Sequence, residues 1–211
     1  MELLKFYRLF GQLVEYLYLV PLVAGILKWK KLDTALRWVV IYLFFDFIIS
    51  LVSNYTYQVL GINNLFLFYY YSFFWNLTIC SFLYRISGFK RGISFLLISG
   101  CVFVVFDYFL TVGDQGMNYM SGLFVNLTLF ALSTYFLFIK METMEASSPL
   151  LLVLLALTIQ FFIRSLYIFS KKYLLQSAYY GVFWFYEAII YGYVMLLANA
   201  IFTYAFYLVK R

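Results

Sequence analysis

Apolar residues are gathered into seven long runs, which are separated by short stretches rich in charges, glycine or serine. A hydrocarbon core about 30 Å thick is crossed by about 20 helical residues, and each run approaches or exceeds that length. The pattern therefore predicts seven transmembrane helices, near 9–28, 36–54, 64–84, 92–112, 117–139, 149–170 and 179–209.

Helix-breaking residues stand between the predicted helices. Glycines occur in the breaks at 60–64, 87–88 and 113–116. Ser147-Ser148-Pro149 is typical of a helix start, because serine caps and proline is tolerated in the first turn. Pro21 lies inside the first predicted helix, which we expect it to kink.

The composition agrees with a chain that is solvated mainly by lipid. Hydrophobic residues make up 66% of the 211 residues and charged residues only 11%, whereas a soluble domain carries roughly 25% charged residues. No loop is long enough to fold alone, and the first apolar run has no cleavage pattern behind it. We therefore predict an all-α polytopic membrane protein with one domain, 1–211, no soluble domain and two reduced cysteines.

The distribution of Lys and Arg predicts the orientation. With the N-terminus outside, four basic residues fall on the outer side: Lys5, Arg8, Lys171 and Lys172. Ten fall on the cytoplasmic side: Lys28, Lys30, Lys31, Arg37, Arg85, Lys90, Arg91, Lys140, Lys210 and Arg211. The positive-inside rule therefore favours an N-terminus outside and a C-terminus in the cytoplasm. The basic residues are expected to meet membrane lipids rather than nucleic acid.

Polar residues within the predicted spans are concentrated in the outer half of the bundle. Ionisable groups at this depth face the bundle interior or a water-filled cavity, because hydrocarbon cannot solvate them. The candidate ligand-binding residues are Glu15, Asp46, Asp107, Asn126, Gln160, Arg164, Glu187 and Tyr191.

Helical spacing aligns several of these residues on single faces. Asp46 follows Tyr42 by one turn, Arg164 follows Gln160, and Tyr191 follows Glu187. Such stripes predict a hydrated pocket that is open to the outside. The surplus of carboxylates favours a cationic or amine-bearing ligand, or protonation of one acid. The alternative is that the Arg and the carboxylates only hold the helices together.

Several chemistries are not expected. The chain contains no histidine, which removes the commonest zinc and haem ligand. No lysine lies between Lys172 and Lys210, so a retinal Schiff base in the last helix is excluded. Nucleophile elbows, phosphate loops and dinucleotide-binding turns do not occur. We therefore predict no enzyme activity, no catalytic residues, no metal and no cofactor.

Two families share features with the chain. The tracts Tyr18-Leu19-Val20-Pro21-Leu22, Lys28-Trp29-Lys30-Lys31 and Leu197-Ala198-Asn199-Ala200-Ile201-Phe202 resemble the uncharacterised seven-span integral membrane proteins of Bacteroidota. That resemblance implies a sensor or accessory protein of the bacterial inner membrane. The tracts at 6–12 and 164–167 are similar to the KDEL receptor and sugar-transporter superfamily, whose transporter Pro-Gln pair is absent here.

Three hypotheses of function remain. The first is a receptor or sensor that binds a small-molecule, cationic or lipidic ligand in the outer half and acts on a membrane or cytoplasmic protein partner. The second is a small-solute or proton-coupled transporter. The third is a structural subunit of a membrane complex. Because the inner half is mainly apolar, and a transporter must open to both sides, the first is favoured.

Overall fold

The computed structural model describes residues 10, 13–14, 16–61, 66–111, 119–143, 147–174 and 190–209, with the backbone alone at 57–58, 111, 119 and 171–174. Seven α-helices lie within these ranges: α1 Leu19–Leu27, α2 Thr34–Gln58, α3 Leu67–Ile86, α4 Lys90–Thr111, α5 Tyr119–Glu142, α6 Ser148–Leu174 and α7 Gly192–Leu208. A 3₁₀ turn, Trp29–Lys31, joins α1 to α2. The predicted all-α class is confirmed for this part of the chain.

Four of these helices are long and apolar enough to cross a bilayer. They contain the segments Thr34–Thr56, Lys90–Leu110, Met120–Glu142 and Ser148–Ser170. Helix α7 is apolar but has 17 residues, and the many tyrosines of α3 lower its hydropathy. The chain is therefore a helical integral membrane protein, while seven crossings and the direction of the termini stay predictions.

Six helices form a closed ring. Helix α1 packs against α2 and α7; the ring continues from α2 to α3, from α3 to α5, from α5 to α6, and from α6 back to α7. Helix α4 lies outside this ring, in contact with α3 and α5. The centre is filled by fully buried aliphatic and aromatic side chains such as Leu43, Phe82, Phe161 and Phe202.

Local sequence explains where several helices begin and end. Asp33 accepts a hydrogen bond from Leu36 N at 2.7 Å and so caps the start of α2. Helix α6 begins at Ser148, with Pro149 in its first turn, as predicted. Pro21 lies in α1 and has no N–H to donate to the preceding turn. The backbone at Tyr18 nevertheless keeps helical angles, φ −59° and ψ −24°, so a kink in the first helix stays a prediction.

One end of the bundle is basic. The end of α1 and the end of α7 meet there, because Lys28 Nζ donates to the Val209 carbonyl at 3.0 Å. The starts of α2 and α4 and the end of α3 lie at the same end. We call it the basic end, after its cationic residues Lys28, Lys30, Lys31, Arg37, Arg85, Lys90, Arg91 and Lys140.

Candidate functional site

A buried ion pair joins α2 to α6 across the ring. Asp46 lies midway along α2, and Arg164 lies within one turn of the midpoint of α6. Arg164 Nη2 donates to Asp46 Oδ2 at 2.7 Å. Only 2% of Asp46 and 3% of Arg164 is exposed, so this pair lies in the interior at the depth where hydrocarbon would surround a lipid-facing side chain.

Arg164 also binds two tyrosine hydroxyls. Its Nη1 donates to Tyr42 Oη at 2.8 Å, and its Nη2 donates to Tyr18 Oη at 3.3 Å. The Tyr42 hydroxyl in turn donates to Gln160 Oε1 at 2.5 Å. Because Tyr42 accepts from one group and donates to the other, its hydroxyl extends the hydrogen-bond network from the guanidinium to a neutral amide.

Trp75 on α3 completes the arrangement. Its Nε1 donates to Asp46 Oδ1 at 2.8 Å, so each carboxylate oxygen of Asp46 accepts a hydrogen bond. The guanidinium carbon of Arg164 lies 4.0 Å from the centre of the Trp75 ring, a cation–π contact that is strong when both groups are desolvated. We call Tyr18, Tyr42, Asp46, Trp75, Gln160 and Arg164 the central polar cluster.

The cluster neutralises its own charge, but not every donor is paired. Arg164 Nε and Gln160 Nε2 are buried, and neither has a hydrogen-bond acceptor among the residues that the structure describes. Leaving such a donor without an acceptor costs about 1–3 kcal/mol. The described part of the cluster therefore holds two donor nitrogens that can bind a carbonyl, a carboxylate or a water molecule.

The structure brings together three of the predicted ligand-binding residues: Asp46, Gln160 and Arg164 belong to the central polar cluster. Tyr191, which immediately precedes α7, contacts Tyr167 of α6, with ring centres 5.0 Å apart and ring planes tilted by 38°.

Glu15 and Glu187 lie outside the described residues. The predicted alignment of Tyr42 with Asp46, and of Gln160 with Arg164, is observed, since both pairs contribute to the same network. Ligand binding by any of these residues stays a prediction.

Asp107 and Asn126 have local roles near the junction of α4 and α5. Asp107 Oδ2 accepts a hydrogen bond from Ser121 N at 3.2 Å, in the first turn of α5. A carboxylate at this position satisfies a free N–H and interacts favourably with the positive end of the helix dipole. Asn126 Nδ2 donates to Gly122 O at 2.7 Å, one turn earlier in the same helix. Its Oδ1 is buried, and no described residue donates a hydrogen bond to it. These contacts stabilise α5 and involve no member of the central polar cluster.

Sequence reasoning did not select Trp75 or Tyr18 as site residues, and it included Tyr42 only through its alignment with Asp46. One signal could have identified Trp75. Trp29 and Trp38 lie near predicted helix ends, whereas Trp75 lies inside a helix, where a buried indole N–H needs an acceptor. The choice of Asp46 as that acceptor depends on the packing of α3 against α2 and is not encoded in a local pattern.

The side chains of the central polar cluster contact one another and are buried. Asp46, Gln160 and Arg164 are all buried, and the charges are balanced by pairing within the cluster. No group of three or more metal-ligating side chains occurs among the residues that the structure describes.

No family model, curated protein or solved structure matches the chain. The resemblance to the Bacteroidota proteins and to the KDEL receptor superfamily stays a prediction.

Proposed function

We propose that this chain is a receptor- or sensor-like membrane protein, in which a ligand bound beside the central polar cluster shifts the helices that Arg164 connects. The observation that carries the proposal is the number of helices joined at one side chain. From α6, Arg164 contacts Tyr18 before α1, Tyr42 and Asp46 on α2, and Trp75 on α3.

A buried ion pair suits such a switch. The desolvation of two charges opposes their attraction, so the net stability of a buried pair is small compared with either term. A ligand that binds one arrangement of the pair better than another therefore moves the equilibrium by its difference in affinity. Displacement of Arg164 would loosen its contacts with several helices at once.

The unpaired donors define part of the ligand. Within the described part of the chain, Arg164 Nε and Gln160 Nε2 have no acceptor. The carboxylates of Glu15 and Glu187, by sequence alone, favour an amine in the same half of the bundle. A small amine that also carries a carbonyl or carboxylate would satisfy both requirements.

The first test measures whether candidate compounds stabilise the protein. Amines, amino acids and N-acyl amines are added to the protein in lipid nanodiscs, and the Tm is recorded for the wild type, Asp46→Asn and the control Asp33→Asn. A receptor is expected to be stabilised by a compound of the combined type, with the stabilisation lost in Asp46→Asn and retained in the control. Absence of stabilisation by the whole panel would contradict the proposal.

Transport is the second candidate, and one observation favours it. Asn199 of α7 lies about 12 Å nearer to the basic end than Tyr191, at 1.5 Å per residue. It is 4% exposed, and neither atom of its side-chain amide has a hydrogen-bond partner within the described ranges. A polar side chain at this level would extend a polar path from the central polar cluster towards the basic end. Uptake of a stabilising compound into proteoliposomes, and loss of uptake in Asn199→Leu, would identify a transporter; stabilisation without uptake would identify a receptor.

A further inference from the structure

A cleft opens between α2, α3 and α4 at the basic end, far from the central polar cluster along the helix axes. Its volume is about 210 Å³, and its lining includes Trp38 of α2, Tyr84 and Arg85 of α3, and Ser94 of α4. Arg85 is exposed, while Trp38, Tyr84 and Ser94 are half-buried. The cleft thus has a cationic rim and an aromatic wall.

Positive charge surrounds this cleft. Lys90 Nζ lies 5.6 Å from the centre of the Tyr84 ring, which places a second cation beside an aromatic residue of the cleft wall. Helix α4 begins at Lys90, and the N–H groups of its first turn form the positive end of the helix dipole. Within the described ranges, no carboxylate pairs with Arg85 or Lys90. The site is electrostatically suited to a phosphate group.

The remaining walls are apolar. Ile93 and Leu97 of α4 line the cleft with Trp38, and a free inorganic anion would gain nothing from them. On the next face of α4, Phe95 and Ile98 are 70% and 60% exposed, and side chains on α4 that face outward in a membrane contact acyl chains. Two cations suited to a phosphate group, Arg85 and Lys90, therefore lie directly beside the apolar face of α4, which is suited to hydrocarbon.

We propose that this cleft binds the phosphodiester headgroup of an anionic phospholipid, with an acyl chain lying along the exposed face of α4. Basic pockets between transmembrane helices are suited to such headgroups, and each Lys or Arg near an anionic surface contributes about 1 kcal/mol, or about fivefold in affinity. Trp38 and Tyr84 belong to the two residue types that are enriched at the depth of the lipid headgroups.

Lipid titration of the full chain tests this proposal. Phosphatidylglycerol and phosphatidylcholine are titrated separately into the protein in a neutral detergent, and bound lipid is counted by native mass spectrometry. Phosphatidylglycerol is expected to bind more tightly than phosphatidylcholine, and Arg85→Gln is expected to weaken its binding about fivefold. Lys31→Gln removes another exposed charge from the same end, outside the cleft, and should leave the affinity unchanged.

Three outcomes would overturn the proposal. Equal loss of affinity in Arg85→Gln and Lys31→Gln would indicate attraction to the basic end as a whole. Equal binding of the two lipids would indicate that phosphate charge is not recognised. Soluble glycerol phosphate, added as a competitor, would displace the lipid at comparable concentrations if the site served a free phosphate compound. Because Arg85 is exposed, its substitution is not expected to impair folding, which the unchanged Tm of the variant verifies.

Discussion

Arg164 is surrounded by hydrogen-bond acceptors and aromatic rings that suit a guanidinium better than an ammonium group. Its two Nη atoms reach Asp46, Tyr42 and Tyr18, while its planar face lies over Trp75. A lysine would supply a compact charge without the planar stacking surface or the fixed directions of the donors. The geometry of the cluster therefore depends on arginine and not on positive charge alone.

Removal of one partner of the Asp46–Arg164 pair leaves the other charge buried and uncompensated. We expect Asp46→Asn and Arg164→Gln each to reduce the free energy of unfolding by about 3–5 kcal/mol. The double variant should lose clearly less than the sum of the two. Unfolding in mild detergent, followed by circular dichroism, measures this coupling. Additive losses would show that the two side chains do not stabilise each other.

Trp75→Phe separates the two interactions of the indole. The substitution keeps an aromatic face beside Arg164 and removes the hydrogen bond to Asp46 Oδ1, so we expect a loss of about 1.5–3 kcal/mol, typical of a hydrogen bond to a charged group. The same unfolding measurement checks it. Trp38→Phe, at the basic end and outside the cluster, is the control. A loss no greater than that of the control would show that the indole N–H contributes nothing.

Part of the cluster was predictable because helical spacing is a local property. Tyr42 and Asp46 are four residues apart, as are Gln160 and Arg164, so each pair had to share a face. Trp75 and Tyr18 join them from other helices through tertiary packing, which no spacing records. For Asp107, depth within a span suggested a ligand site, yet its contact with Ser121 N is made at a helix start.

Helices α3 and α4 approach closely at a glycine. Asn76 Nδ2 on α3 donates to the Leu97 carbonyl of α4 at 2.8 Å and lies 3.4 Å from Cys101 Sγ. A Cβ atom at Gly100 would lie 2.5 Å from the same Nδ2. Hydrogen bonding between a side-chain amide and a neighbouring helix thus requires the smallest residue at this crossing, as is common in membrane helix pairs.

Gly100→Ala is expected to separate α3 from α4 and to cost about 1–3 kcal/mol, as overpacking of a filled interior does. Gly88→Ala is the matched control, because a Cβ atom there would meet nothing within 4 Å. Thermal unfolding of both variants in the same detergent gives the comparison. If the two variants had equal Tm values, Asn76 could move without cost and the contact would not constrain the helix pair.

The positions of the helices were largely predictable, because hydropathy and helix-breaking residues are both local properties of the sequence. The break at 87–88 is confirmed, since Ser87 Oγ accepts from Phe89 N at 2.8 Å between α3 and α4. Helix α2 extends beyond the predicted 36–54 in both directions, to Thr34 and Gln58. The Asp33 cap accounts for its earlier start. The residues between 54 and Gln58 are more polar, so hydropathy placed the C-terminal end of the helix too early.

The arrangement of the whole bundle could not be deduced from the runs of apolar residues. Every helix in a membrane can be apolar all round, so hydropathy does not indicate which neighbour each face meets. The six-helix ring, with α4 outside it, follows from contacts such as that of Gly25 with Val40 and Phe206, which holds α1 close to α2 and α7.

Orientation is open to direct measurement through the basic end. In a chain with Cys80 and Cys101 replaced by alanine, we introduce Lys30→Cys at this end and Leu60→Cys at the opposite end of α2; both positions are exposed. The positive-inside rule predicts that an impermeant maleimide labels position 60 in intact cells and position 30 only after permeabilisation. The reverse pattern would show that the N-terminus lies in the cytoplasm.

Asp46 and Arg164 are 118 positions apart in the chain, and this separation affects biosynthesis. Helix α2 emerges from the ribosome long before α6, with a carboxylate whose cationic partner has not been made. Insertion of a lone Asp at the centre of a helix is unfavourable by about 2.5–3.5 kcal/mol. Until α6 is made, the Asp46 side chain must therefore be protonated, hydrated or held by the insertion machinery, and its final partner reaches it only when Arg164 enters the membrane.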